Sequence, residues 1–381
     1  MKIFFICATA ILVGIMQVYA AGFTEGNLAV LRVGDGTTLI NSSASALFID
    51  EYTPSGVFVQ SIAVSTNVGT RAVGSGSASS DGVLTLSGNG QYLTFGAYDA
   101  AVGTASIVSG TGVARVIGVV GTNGAVDTST RLTSSGTANP PYNGNNFRAV
   151  YSPAGTTFYL AGTASSANNS GIQYVSALGA TSSTNLSTTI TNTRGVNAFN
   201  GQLYLSTGSG TEGIYSVGTG QPTTPPQTAT ILPGGAFTDN AAYTDFYFST
   251  DGLTLITLNG STMQAFAFNG SSWTLSNSFS TLANSFNLTA SESGGTINLF
   301  YTTGNGSTNN LTTGVTNSTL RAISWNGTSF GGDTLLAVAG NNQTFKGVEF
   351  APAMAVVPEP ATVLLVLAGV GGTLLIRRRR Q

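Results

Sequence analysis

Asp50 and Glu51 are the only adjacent acidic pair between residues 23 and 350, and Asp35, Asp81 and Asp251 each stand directly before a glycine. Paired carboxylates can divide acid and base work, but neighbours on a strand project to opposite faces. An Asp before Gly suits an Asx turn, in which the carboxylate caps its own backbone. Calcium is the alternative for such residues, yet no D-x-D-x-D loop occurs and no stretch gathers three carboxylates. Histidine is absent, and the one cysteine, Cys7, lies in the first apolar stretch. Without imidazole or thiol the rest of the chain cannot build a conventional zinc site, a disulfide, a Cys–His pair or a Ser-His-Asp triad. No catalytic residue, metal or cofactor is therefore expected. A hydrolase or lyase would need at least three of Asp50, Glu51, Asp81, Asp99, Asp245 and Glu349 to converge.

Other candidate groups have plain structural readings. "GDG" (34–36) and "GSGSAS" (74–79) are glycine-rich, but neither carries the lysine of a phosphate loop or leads into a helix, so both read as loops. Trp273 in "GSSWTLS" and Trp325 in "ISWNGTS" fit as filler between packed sheets. Their sharper reading is a stacking platform for sugar rings. N-x-S/T triplets at Asn41, Asn185, Asn259, Asn287, Asn326 and Asn342 follow from the abundance of Asn, Ser and Thr. Residues 23–350 hold eight basic side chains against fourteen acidic ones, so no basic stripe exists to neutralise phosphates and nucleic-acid binding is not expected.

The elements that would position these groups are strands. Only 7% of residues are charged, while Phe, Tyr, Val, Ile and Thr recur in short bursts between Gly- and Asn-rich turns. Five stretches share a turn followed by an aromatic or aliphatic strand: "SGNGQYLTFGAYD" (87–99), "SPAGTTFYLAGT" (152–163), "FNGQLYLSTGSG" (199–210), "STDGLTLITLNG" (249–260) and "SGGTINLFYTTG" (293–304). Their turn glycines, Gly90, Gly155, Gly201, Gly252 and Gly295, recur every 43 to 65 residues, in or above the ~40–50 expected of a four-stranded propeller blade. "FKGVEFAP" (345–352) matches the phrases that open other units, "FRAVYSP" and "RGVNAFN", whereas the first unit begins at "NLAVLRVG" (27–34) without one. A last strand completing the first blade would close the ring and remove open sheet edges. The expected fold is all-β: a six-bladed β-propeller over 21–352, with blades near 23–70, 78–135, 145–192, 193–233, 240–282 and 284–340. A β-helix or solenoid is the rival.

Both ends read as export signals. Lys2, an apolar run from Ile3 to Met16, and Val18-Tyr19-Ala20 are the parts of a signal peptide over residues 1–20, with cleavage between Ala20 and Ala21. At the other end, residues 353–360 are a Pro-rich linker containing Pro358-Glu359-Pro360, residues 361–376 are an apolar helix, and residues 377–381 carry Arg377, Arg378, Arg379 and Arg380. As a helix, 361–376 spans roughly 24 Å, a little under the hydrocarbon thickness, and the arginines would stay cytoplasmic.

These last residues, motif, helix and arginines in that order, resemble the PEP-CTERM sorting signal of Gram-negative bacteria. The resemblance implies recognition by an exosortase-type membrane protease, removal of the tail, and release or attachment at the cell surface, after transient anchoring by the C-terminal helix. It further implies a non-enzymatic structural or binding protein of the exopolysaccharide or biofilm layer, with extracellular polysaccharide as partner. A secreted polysaccharide hydrolase or lyase is the alternative. Intact mass of the protein from its native host is expected to begin at Ala21 and to lack the residues after Pro358. Replacing Pro358 and Pro360 by Ala should retain the tail, and a full-length C-terminus in the wild-type protein would refute processing.

Overall fold

The computed structural model describes residues 22–234, 242–304, 306 and 309–354. Ala20, Ala21, Pro358, Glu359, Pro360, residues 361–376, where a helix was expected, and Arg377 to Arg380 lie outside the described residues. Among the described residues, no helix is long and apolar enough to cross a membrane.

The chain is all-β, with a single 3-10 turn at Ala167–Asn169 among the described residues. In chain order the strands begin with β1 (Leu28–Val33), β2 (Ala44–Tyr52), β3 (Phe58–Ala63), β4 (Val73–Ser75), β5 (Leu84–Leu86), β6 (Tyr92–Tyr98), β7 (Arg115–Gly121) and β8 (Val126–Leu132). They continue with β9 (Phe147–Tyr151), β10 (Phe158–Gly162), β11 (Ile172–Val175), β12 (Thr184–Ser187), β13 (Thr193–Phe199), β14 (Gln202–Thr207), β15 (Ile214–Val217) and β16 (Ala229–Ile231). The last are β17 (Asp245–Phe248), β18 (Thr254–Leu258), β19 (Thr262–Phe268), β20 (Trp273–Ser280), β21 (Leu288–Ser293), β22 (Thr296–Thr303), β23 (Thr319–Trp325), β24 (Thr334–Val338) and β25 (Thr344–Phe350).

Four antiparallel sheets hold four strands each: β9 to β12, β13 to β16, β17 to β20 and β21 to β24. Four of the five repeat phrases mark hairpins of these sheets and the first marks the β5–β6 hairpin, and all five turn glycines adopt positive φ, between 71° and 80°. An L-residue is strained there, which is why glycine recurs at this point of the repeat.

The remaining strands do not form separate sheets as the repeat count suggests. They make one nine-stranded sheet, β25-β1-β2-β4-β6-β7-β8, with β3 on β2 and β5 on β6. Strand β4 is the splice, since it pairs with both β2 and β6. Glycine permits this close crossing: side chains at Gly74 and Gly76 would collide with Leu47 and Ile40. The "GSGSAS" segment is thus partly strand, where the sequence suggested only loop.

The phrase at 345–352 forms β25, which pairs antiparallel with β1 and ties the C-terminal end of the body to its beginning. Strands β5, β9, β13, β17, β21 and β25 touch one another in cyclic order, with β25 meeting β5 again. The arrangement is propeller-like: innermost strands surround an axis, and later strands of each group lie further out. β25 is buried at every residue except the partly exposed Phe350, whereas the outermost β20 is mostly open to solvent. Apolar side chains fill the wedges between groups, as where Leu31, Leu47 and Ile49 meet Leu93, Phe95 and Val120. Burying side chains of this size contributes about 1.5–3 kcal/mol each. Trp273 and Trp325 belong to such wedges, 5% and 2% exposed, so they are filler and not sugar platforms.

At Gly347 in β25, an added Cβ would overlap the backbone nitrogen of Leu84 in the neighbouring β5. Gly347→Ala is therefore expected to destabilise the chain by about 1–3 kcal/mol in urea denaturation; an unchanged midpoint would mean that β25 and β5 do not meet this closely.

Candidate functional site

Low charge content forces each buried ionic group to find a specific partner. Of the predicted turn residues, Asp35 accepts from the amides of Thr37 and Thr38, both at 2.9 Å, and Asp251 accepts from the amide of Leu253 at 2.9 Å. Asp81 departs from that expectation. It is 3% exposed and pairs with the Lys346 ammonium at 3.1 Å, 265 residues away, with the Tyr98 hydroxyl at 3.5 Å.

Of the six acids that could have formed a catalytic cluster, only Asp245 and Glu349 come near one another, and the other four serve separate partners. Asp50 pairs with Arg32 and accepts from Ser61 at 2.6 Å, whereas Glu51 accepts from Asn27 at 2.7 Å and Gln60 at 2.6 Å. The two neighbours thus serve different partners, as their alternation on β2 predicts. Asp99 bridges Arg71 and Arg131. Among the described residues, no group of three or more His, Cys, Asp or Glu side chains is arranged to hold a metal ion.

Asp245 and Glu349 sit on inner strands, and Asn287 organises their surroundings. Its side-chain oxygen accepts from the amide of Leu84 at 3.2 Å and of Val348 at 2.6 Å, while its nitrogen donates to Asp245. One amide thereby joins β17, β25 and the start of β5 to the entry of β21. The Leu288 amide adds 2.9 Å to the same Asp245 carboxylate. Glu349 accepts from the Thr289 hydroxyl and from its neighbour Phe350 at 2.8 Å. The sequence offered Asn287 only as a glycosylation triplet, but at 1% exposure it is structural. No local signal could have marked it, because its partners lie 42, 61 and 203 residues away.

Burial pushes the Asp245 carboxyl up to about 6, partly offset by the hydrogen bonds from Leu288 and Asn287. Burial also pushes Glu349 up to about 7, with the Asp245 charge adding to the effect. Both are acids held towards their neutral forms in a dry interior.

An open hollow of about 440 Å³ lies where the chain enters β5 and β9. Hydroxyl and amide groups dominate it: Ser42, Ser77, Ser80, Ser109, Asn145 and Asn146 are among its walls. Two loop residues beside it, Ser106 at φ 49° and Tyr142 at φ 55°, have left-handed backbones that neither residue type favours. A larger hollow of about 830 Å³, at the opposite ends of neighbouring strands, is lined by Tyr92, Val119, Val126, Leu178 and Met354 alongside polar turns. The serine hollow is the candidate binding site, because hydrogen-bonding groups make up the larger part of its lining. Sequence reading missed it: the four serines in 75–80 were visible, but not the loops that face them.

No protein-family model and no curated protein sequence matches the chain. Solved structures do resemble it in fold. A Bacteroides uniformis protein proposed to be a 6-phosphogluconolactonase is 11% identical with a TM-score of 0.45, over 81% of this chain and 83% of its own. Its Bacteroides fragilis counterpart is 13% identical with a TM-score of 0.44, over 81% and 82%. A hypothetical selenium-binding protein from Sulfolobus tokodaii is 9% identical with a TM-score of 0.46, over 87% and 95%. Likeness of this degree assigns no activity.

The two raised carboxyls set a pH dependence. Their folded pKa values lie above the ordinary ones, so between about pH 4 and pH 7 the folded state binds more protons than the unfolded chain. Stability should therefore fall as pH rises from about 4 to about 7, by on the order of 3 kcal/mol for each group over that whole span. Asp245→Asn with Glu349→Gln is expected to flatten that slope in denaturation measured from pH 5 to 8; a slope unchanged by the double variant would contradict this assignment. Asn287→Ala leaves two buried amides and a carboxyl without their partner and should cost about 3 kcal/mol or more in the same measurement.

Proposed function

We propose that the chain is an exported, non-enzymatic binding or structural protein of an extracellular polysaccharide layer, built as a six-bladed propeller and delivered by an exosortase-type system. Six innermost strands in cyclic contact support the blade count. The nine-stranded sheet then represents two blades, β25-β1-β2-β3 and β5-β6-β7-β8, stitched together by β4.

The observation that supports the non-enzymatic reading is that, among the described residues, no three of the acids converge, Asp245 and Glu349 being the one neighbouring pair. Each of Asp50, Glu51, Asp81, Asp99, Asp245 and Glu349 has its own hydrogen-bond or ion-pair partner. The polysaccharide partner is suggested by the serine hollow, whose hydroxyl and amide groups match the hydrogen-bonding surface of sugars. The C-terminal motif at Pro358-Glu359-Pro360 supports the route of delivery through its resemblance to a sorting signal.

Mature protein from the native host, mixed with that host's exopolysaccharide, is expected to co-sediment with the polymer and to release no new reducing ends. Depolymerisation by the wild-type chain that Asp245→Asn or Glu349→Gln removes would replace this reading with the hydrolase one. Loss of the exosortase-type protease should leave the full-length chain in the membrane fraction.

A further inference from the structure

Three buried cations hold the serine hollow from behind. The Arg148 guanidinium donates to the Ser80 hydroxyl at 3.2 Å, Lys346 donates to the Ala78 carbonyl, and Arg115 donates to the Asn145 carbonyl at 3.0 Å. Ser80, Ala78 and Asn145 all line the hollow. The cations are 5%, 1% and 0% exposed, in the order Arg148, Lys346 and Arg115.

Their compensation is incomplete. Asp81 neutralises Lys346, and it is the acid whose charge reaches all three cations. Arg115 spends its remaining contacts on the carbonyls of Val113 and Tyr142 and on the Tyr98 ring, 4.9 Å from the ring centre. Among the described residues its Nε is buried without a partner. Arg148 otherwise reaches only neutral groups, Asn192 and the Thr193 carbonyl at 2.8 Å. Burial, with the nearby Arg194 charge, pushes Arg148 down to about 9. Among the described residues, the acid that reaches these two guanidinium charges, Asp81, is already paired with Lys346, so they sit under-compensated in a low-dielectric interior, which is costly unless an anion approaches.

We propose that the hollow is an anion-recognition site whose ligand is an acidic polysaccharide: carboxylate or sulfate groups enter among the serine hydroxyls, in the field of the cations beneath. This rests on the polysaccharide-binding reading above and adds the class of polymer. The attraction is local. The body as a whole carries more acidic than basic side chains, and at physiological salt its distant charges are screened beyond about 8 Å. The left-handed backbones of Ser106 and Tyr142 fit the same assignment, since such conformations concentrate at ligand-binding sites.

The test uses the full mature chain in affinity electrophoresis through gels carrying sodium polygalacturonate, dextran sulfate or neutral dextran. Thermal melts with inorganic sulfate supply the small-ion probe. The acidic polymers are expected to bind at least ten-fold more tightly than dextran, and binding should weaken as NaCl is added. Ser77→Glu with Ser109→Glu places two negative charges at exposed rim positions; it should lower acidic-polymer binding at least ten-fold while leaving the melting midpoint unchanged. Equal binding of dextran and polygalacturonate overturns the anion inference and leaves the polysaccharide reading standing. Sulfate stabilisation that the double variant abolishes, with no polymer bound, retains the anion site and removes the polysaccharide reading. Acidic-polymer binding untouched by the double variant overturns the assignment to this hollow, and absence of binding by every probe overturns both.

Discussion

The pairing of β25 with β1 is the constraint on which the rest of the structure depends. Without it the six inner strands would be an open series with a free edge at each end, and open edges invite pairing with other chains. With it, β25 is also brought against β5 and β21, and the polar groups of the axis fall into reach of one another. Asn287 depends directly on this closure, because one of its partners is an amide of β25 and another stands at the entry to β5. Glycine at position 347 is a consequence of the same crowding.

Charge is used sparingly in this interior, and each use is specific. Lys346 and Asp81 link the final strand to the loop that leads into β5, while Arg32 and Asp50 link β1 to β2. Such buried pairs add little net stability against well-packed apolar replacements, but losing one partner strands the other charge. Their role is to fix which strand lies beside which. Asp245 and Glu349 represent another solution, in which burial shifts the balance towards the protonated acid and hydrogen bonds, not ion pairs, support what charge remains.

Much of the architecture was legible before the structure. The spacing of Gly90, Gly155, Gly201, Gly252 and Gly295 located the hairpins, because only glycine accepts positive φ there without strain. The likeness of "FKGVEFAP" to other opening phrases located the strand that returns to β1. Asp35 and Asp251 behaved as turn residues, since an Asx turn is decided within two or three positions. Asp81, with the same dipeptide, did not, because its partner comes from the far end of the chain. The splice through β4 was equally hidden: three residues crossing between two hairpins carry too little pattern to register.

The sequence by itself determined the strand content, the repeat and the absence of imidazole chemistry, because each is written in composition or short-range spacing. Only the tertiary structure decided which polar side chains meet: Asn287 with Leu84 and Val348, Lys346 with Asp81, and Arg148 with the serine loop. The physical reason is closure. Residues separated by tens to hundreds of positions become neighbours at the axis only when the last strand pairs with the first, and no local pattern encodes where along each strand that pairing leaves them.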